Sequence, residues 1–429
     1  MTASRPKRLK TLVGAASVLH ASGDASPALG PQRAAALARK AESARITGLF
    51  TADVLQVDPT GVVGTTGSQE PLIALAALSQ VTSHIGLIAT VSTTFQHPYN
   101  LARQIATLDH ASGGRAAWNA VTSSTGEENF GVDALPDPVT RYARATEFVE
   151  VVHALFAANE ADAATRGPNG AIRIDPARLH RVDYRGEHFQ VQGPLNVPQP
   201  PQGRPVQFQA GQSAEGVTLG ARYAEAVYTS QPQLDGAVAF AHELRGQARA
   251  FGRAENLPLI MNSFHSVIGE SDADVARRVR EKRERIDYDK GRVKLADMFG
   301  GEVDLSGLPL DRPLPESLLP DVDDTNRRRG RIAIFRRYAL QGLTLRELIV
   351  EANETGHWSV AGTPEQLADA IEERFRLGIL DVLSLHGLGN PDQEDLLLNG
   401  LLPELRRREL LDDDYVEGGF RANLGLPAL

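Results

Sequence analysis

The side chains best placed to do chemistry in this chain are short and polar, and they sit where apolar runs end. Asp53 closes the run ITGLFTADV at 46–54, Thr90 and Ser92 lie within HIGLIATVSTTF at 84–95, and Asn119 sits near the end of GRAAWNAVTS at 114–123. Gly211, Gln212 and Ser213 follow PVQFQAG at 205–211. Ser213 stands where a helix opens, and there free backbone N–H groups and the helix dipole favour a phosphate. None of these residues forms a nucleophile with a base beside it. As a set they suit the holding of a polar ligand that brings its own reactivity, the arrangement of a cofactor enzyme. A plainer reading stands beside each: Asp53 as a turn cap, Asn119 as a satisfied buried amide, Trp118 as core, Gly211 with Ser213 as a tight turn and a helix cap.

Other chemical signatures are missing from the sequence. There is no Walker A run and no Gly-x-Ser-x-Gly elbow, and GVVGTTG at 61–67 has the wrong glycine spacing for a dinucleotide fingerprint. The eleven histidines include no His-x-His or His-Glu-x-x-His pair, and DVDDTN at 321–326 lacks the glycine of a calcium loop, so no metal is expected. With no cysteine, disulfides, thiolate metal sites and a cysteine nucleophile are excluded.

The elements that must position the polar groups alternate in type. Besides the four runs above, strand patterns appear at 9–19, 224–230, 257–269 and 380–387. Helical patterns lie between them, opened by Pro31, Pro71 and Pro98 and continued at 141–156, after Ser213, after Ser271 and at 363–378. Eight strands alternating with helices is the count of a TIM (β/α)8 barrel, whose functional groups lie at the C-terminal strand ends. The expected organisation is one domain over 1–429 with large loop insertions near 158–204 and 300–350 and a C-terminal extension near 401–429. A short hairpin is expected in VDYRGEHFQVQGP, with Arg185-Gly186 at its turn.

Composition narrows the class. Among 429 residues, 45 Lys and Arg against 54 Asp and Glu give a net charge of −9, a poor match to nucleic acid or an anionic membrane. No apolar run reaches the roughly 18 residues of a spanning helix. Arg5, Lys7, Arg8 and Lys10 before TLVGAASVL imitate a signal peptide, and the expected reading is a basic lead-in to the first strand of a cytoplasmic enzyme.

The stretch TFQHPYNLARQIATLDHASGGRAAWNAVTSSTGEENFG at 94–131 resembles the flavin-dependent monooxygenases of the bacterial luciferase superfamily, near the nitrilotriacetate monooxygenase and dibenzothiophene-sulfone monooxygenase group. FTAD at 50–53, RYARATEFVEVVHAL at 141–155, YRGEHFQVQGPL at 184–195, PQGRPVQFQAGQSAEG at 201–216 and VAGTPEQLADAIEE at 360–373 extend the resemblance along the chain. It implies a TIM barrel that uses reduced FMN, supplied by a separate NAD(P)H-dependent flavin reductase, with O2 and a flavin C4a-hydroperoxide to oxygenate a small organic substrate. It implies flavin contacts from Asp53, Thr90, Asn119, Tyr142, Gln212 and Ser213, with Gln212 and Ser213 at the phosphate and Tyr142 at the phosphate or ribityl chain. His20 lies where the group often carries a histidine and is the candidate for proton control, although ASGDASP replaces the aromatic-basic segment that usually follows. His357 and Trp358 are further candidates for the pocket wall, and either insertion for a lid. A homodimer or homotetramer is the expected assembly. Two alternatives share the barrel: a deazaflavin (F420)-dependent oxidoreductase and a flavin-binding barrel without turnover.

Overall fold

The computed structural model describes residues 7–14, 31–57, 69–322 and 329–429. Eight short apolar segments become the strands of one parallel barrel: β1 (Lys10–Gly14), β2 (Gly48–Thr51), β3 (Gly86–Ser92), β4 (Ala116–Val121), β5 (Val206–Gln209), β6 (Ala226–Thr229), β7 (Leu259–Ile268) and β8 (Val382–Leu385). Neighbours pair in sequence order, and β8 returns to β1, which closes the ring. All eight expected strands are present, each shorter than its apolar run, because the ends of those runs turn out of the ladder into loops. The TIM barrel read from the sequence is therefore the fold.

The helices between strands begin where local chemistry satisfies their first N–H groups. Pro opens the helices Pro71–Ser79, Pro98–Ser112, Pro138–Ala157 and Pro364–Arg376. In each, the side chain just before the proline (Glu70, His97, Asp137 or Thr363) accepts a backbone N–H of the first turn. The third of these starts three residues before the sequence pattern at 141, since Asp137 caps it.

One end of the barrel is sealed. Leu12, Ile88, Ala117, Val206, Phe208, Ala226, Met261 and Val382 fill the interior together with Phe420 and Leu424 of the C-terminal extension. Phe420 lies against the start of β3, where a Cβ on Gly86 would stand 2.1 Å from its ring. The extension thus plugs the N-terminal mouth and leaves the C-terminal mouth for a ligand.

β7 does more than close the ring. Its second half, Phe264–Ile268, pairs in parallel with an edge strand at Trp358–Gly362 that the sequence reading lacked. This five-residue run lies beside the insertion, and its short apolar pattern does not by itself mark a strand.

The 158–204 insertion forms two small hairpins, Ala164–Arg166 with Ile172–Ile174 and Tyr184–Arg185 with Gln190–Val191. The second is the expected hairpin. It is pinned to the helix Pro138–Ala157 by the Glu147 carboxylate, which accepts the amides of Glu187, His188 and Phe189. In the other insertion, Phe335 and Leu348 of the helices Arg329–Leu340 and Leu345–Asn353 share a separate apolar cluster with Leu295 and Phe299. Among the described residues, no helix is long and apolar enough to cross a membrane.

Candidate functional site

A cavity of about 570 Å³ opens at the C-terminal mouth of the barrel. Asp53, Thr90, Asn119, Tyr142, Gln212 and Ser213 all line it. The fold therefore brings the six expected flavin-contact residues to one place, while Ser92 is not among the lining residues and His20 lies outside the described residues.

Thr90 and Asn119 face each other by register, β3 against β4. Asn119 Nδ2 donates to Thr90 Oγ1 at 3.0 Å. Its Oδ1 is buried and has no partner among the described residues. A buried acceptor left open at a cavity wall is costly unless a ligand supplies a donor. Asp53, two residues past β2, has its carboxyl pushed above the ordinary range by burial and then by the charge of Glu70.

The opposite side of the cavity is a cradle. Ser213 caps the helix Ala214–Tyr223, its Oγ accepting the Gly216 N–H at 3.2 Å. Gln212 is fixed by its side-chain carbonyl, which accepts Thr229 Oγ1 at 2.9 Å and Gln231 Nε2 at 3.1 Å. The Tyr142 hydroxyl leans over this turn: a Cβ on Gly211 would stand 2.5 Å from it, and one on Gly216 2.9 Å. Only glycine admits that approach. Helix-terminal N–H groups, a serine hydroxyl and a phenol then converge, a set of donors suited to an oxyanion.

Cations border the same cavity. Arg141 is buried, and its guanidinium donates to the Ser123 carbonyl at 2.7 Å. Arg329 and Arg331 enter from the 300–350 insertion, and Gly330 packs on Gln212. Among the described residues, none from 158–204 reaches the cavity wall. Of the two lid candidates, only the 300–350 insertion borders the site.

Several wall residues escaped sequence reasoning. His386 follows β8 directly and would have been found by carrying the strand-end rule to the last strand. Tyr228 and Ser263 lie inside their strands, so position gave no signal. His357 lies behind Tyr228, its Nδ1 3.0 Å from Ser230 Oγ and its ring nitrogens 3.4 Å from the Tyr228 hydroxyl. Trp358 is core instead: it packs on Phe264 and lies under the Arg374 guanidinium. Its large apolar ring outweighs its place beside the insertion.

The sequence profile of the family described as luciferase-like monooxygenase matches residues 13–381. Nitrilotriacetate monooxygenase component A of Aminobacter aminovorans is 37% identical, over 83% of this chain and 79% of that protein. Dibenzothiophene-sulfone monooxygenase of Rhodococcus erythropolis (strain XP) is 33% identical, over 99% of this chain and 98% of that protein. Among solved structures, a riboflavin lyase determined with modified FMN and riboflavin superposes with a TM-score of 0.84 at 28% identity, covering 98% of this chain and 97% of that one.

Proposed function

This chain belongs to the luciferase-like monooxygenase family, and from that premise we propose that it oxygenates a small organic molecule with O2 and reduced FMN. The observation that carries the reading is the pairing, in one cavity, of an oxyanion cradle with an open buried amide oxygen. Reduced FMN needs both: a phosphate holder at one end and hydrogen-bond partners for its ring at the other.

The residues fit that group. Ser213, Gln212 and the Tyr142 hydroxyl would take the phosphate at the helix terminus, with the cavity cations adding charge complementarity. Asn119, held by Thr90, would offer its free Oδ1 to a ring N–H. Asp53, at the same cavity wall, would accept a hydrogen bond near the ring. Bound FMN supplies the electrons that activate O2; the protein supplies orientation and dryness.

The name component A of the Aminobacter relative supports a two-component system, so a separate NAD(P)H:flavin reductase is the proposed source of reduced FMN. The test is oxygen uptake by the purified chain with such a reductase, FMN and NAD(P)H, set against reductase alone. Uptake that rises on adding this chain together with a candidate substrate, with the oxygenated product formed, bears the proposal out. Uptake and product unchanged across a broad substrate panel, with no protein-bound reduced FMN, would refute it.

A further inference from the structure

Behind the cavity wall three imidazoles meet. His386 follows β8, His265 lies on β7 and His357 precedes the edge strand. The ring centroids of His265 and His386 are 4.2 Å apart, and those of His265 and His357 5.0 Å. Toward the cavity, His386 Nε2 lies 2.8 Å from Ser263 Oγ, and His357 meets Tyr228. Away from it, His265 Nδ1 lies 2.9 Å from a Glu354 carboxylate oxygen, and Lys282 pairs with the other oxygen. Glu354, Lys282 and His357 line a second cavity of about 830 Å³ bounded by β7 and the edge strand. These side chains, in ring contact or hydrogen-bonded, lie in a file from one cavity to the other. Among the described residues, no group of three His, Cys, Asp or Glu side chains could hold a metal, so the trio is not a metal site.

Rings this close cannot all be charged. Burial, with the neighbouring Arg331, His265 and His386, pulls His357 down to about 2. Burial, with His265 and Lys282, pulls His386 down to about 3. His265 is the ring with a carboxylate against it. Burial works to raise Glu354, but hydrogen bonds from His265 and Lys282 prevail and hold it at about 2. The ionised carboxylate sits against His265 Nδ1, where it would favour positive charge passing through that ring.

We infer that this file carries protons from the second cavity to the barrel cavity, with His265 as the intermediate station and His386 as the group that delivers them. The inference rests on the flavin-oxygenase reading, which creates the need. When reduced FMN enters as its monoanion, FMNH⁻, O2, substrate and one proton yield FMN, oxygenated substrate and water. Flavin and substrate each lose two electrons and O2 gains four; the proton ends in the water. Without substrate, FMNH⁻, O2 and one proton yield FMN and H2O2, so the demand is the same. A cavity that excludes water cannot draw that proton from bulk solvent directly, and a histidine file supplies it.

Two measurements test this. Histidine-selective NMR of the protein without flavin should show the three imidazoles as one network: His265→Gln should move the ring-nitrogen shifts of both His386 and His357, and Glu354→Gln those of His265. Stopped-flow oxidation of protein-bound reduced FMN, with no substrate, should slow by ~10²-fold in His265→Gln and lose its solvent isotope effect, while reduced-FMN affinity holds. Lys282→Met, at a half-exposed outer position, keeps the fold and should shift the pH profile of the same step. Unchanged rates, isotope effect and pH profile in both variants would overturn the relay. Failure of the wild-type chain to bind reduced FMN would instead sink the flavin reading.

Discussion

At the scale of single residues, the candidate site rests on atoms whose hydrogen-bonding capacity the protein leaves for a ligand. Asn119 is the sharpest case, since Thr90 fixes its amide nitrogen and no group among the described residues fixes its oxygen. Asn119→Ala should weaken reduced-FMN binding by about tenfold, the ~1.4 kcal/mol of one buried hydrogen bond, as read by anaerobic calorimetry. Tyr142 acts at the other end of the ligand. Tyr142→Phe should weaken FMN and leave riboflavin binding unchanged, because only FMN carries the phosphate the phenol would meet. Equal losses for both ligands would remove Tyr142 from the phosphate site.

Three half-buried histidines also set a pH dependence. His153, His357 and His386 are pulled by burial to about 3, 2 and 3, against 6.5 when free. The unfolded chain therefore binds more protons than the folded one below about pH 6.5. Their neutral burial is fully compatible with folding above that value, and stability falls as pH drops from there toward 3. The lowered carboxyl of Glu354 adds a second loss only below about pH 4.3, where the unfolded glutamate protonates. Thermal melting between pH 7 and 5 should therefore show a falling midpoint with the carboxylate silent. A His153→Gln chain should show a shallower fall, and an identical slope would contradict the assignment.

At the scale of elements, the cradle depends on a strand, a tight turn and a helix start meeting at Gly211 to Gly216. Gly211→Ala places a methyl against the Tyr142 hydroxyl and the Gln209 side chain. It should cost about 1–3 kcal/mol of stability by overpacking and abolish FMN binding, measured by chemical denaturation and titration. The sequence made this region legible because a polar triplet followed an apolar run in a barrel pattern. It did not disclose Tyr228 and Ser263, because residues that face a barrel interior within strands look like core in one dimension. The edge strand Trp358–Gly362 was hidden for a related reason: it exists only because β7 runs ten residues and offers a second ladder. That long-range pairing leaves no local mark.

At the scale of the whole molecule, the two ends of the barrel have different work. The C-terminal extension fills the N-terminal mouth with Phe420, stacked on Phe208 and seated over Gly86. Phe420→Ala should cost about 3–5 kcal/mol, read from denaturant unfolding, with little change in flavin affinity because the cavity lies at the far mouth. A loss of affinity without a loss of stability would contradict that division. The eight-strand count and the single barrel were legible from periodicity and from proline-opened helices. The roles of the insertions were not, because loop sequence does not say which surface a loop meets. In the fold, the 300–350 insertion borders the site through Arg329 and Arg331, and 158–204 is fastened to the outer helix.

The proposed ligand of the barrel mouth, reduced FMN for use with O2, is open to anaerobic titration of the purified chain with photoreduced FMN, in parallel with reduced F420. A saturable complex with one reduced FMN per chain should form, oxidise rapidly on mixing with oxygenated buffer, and have no comparable counterpart with reduced F420. Absence of a reduced-FMN complex, or preference for reduced F420, would overturn the proposal.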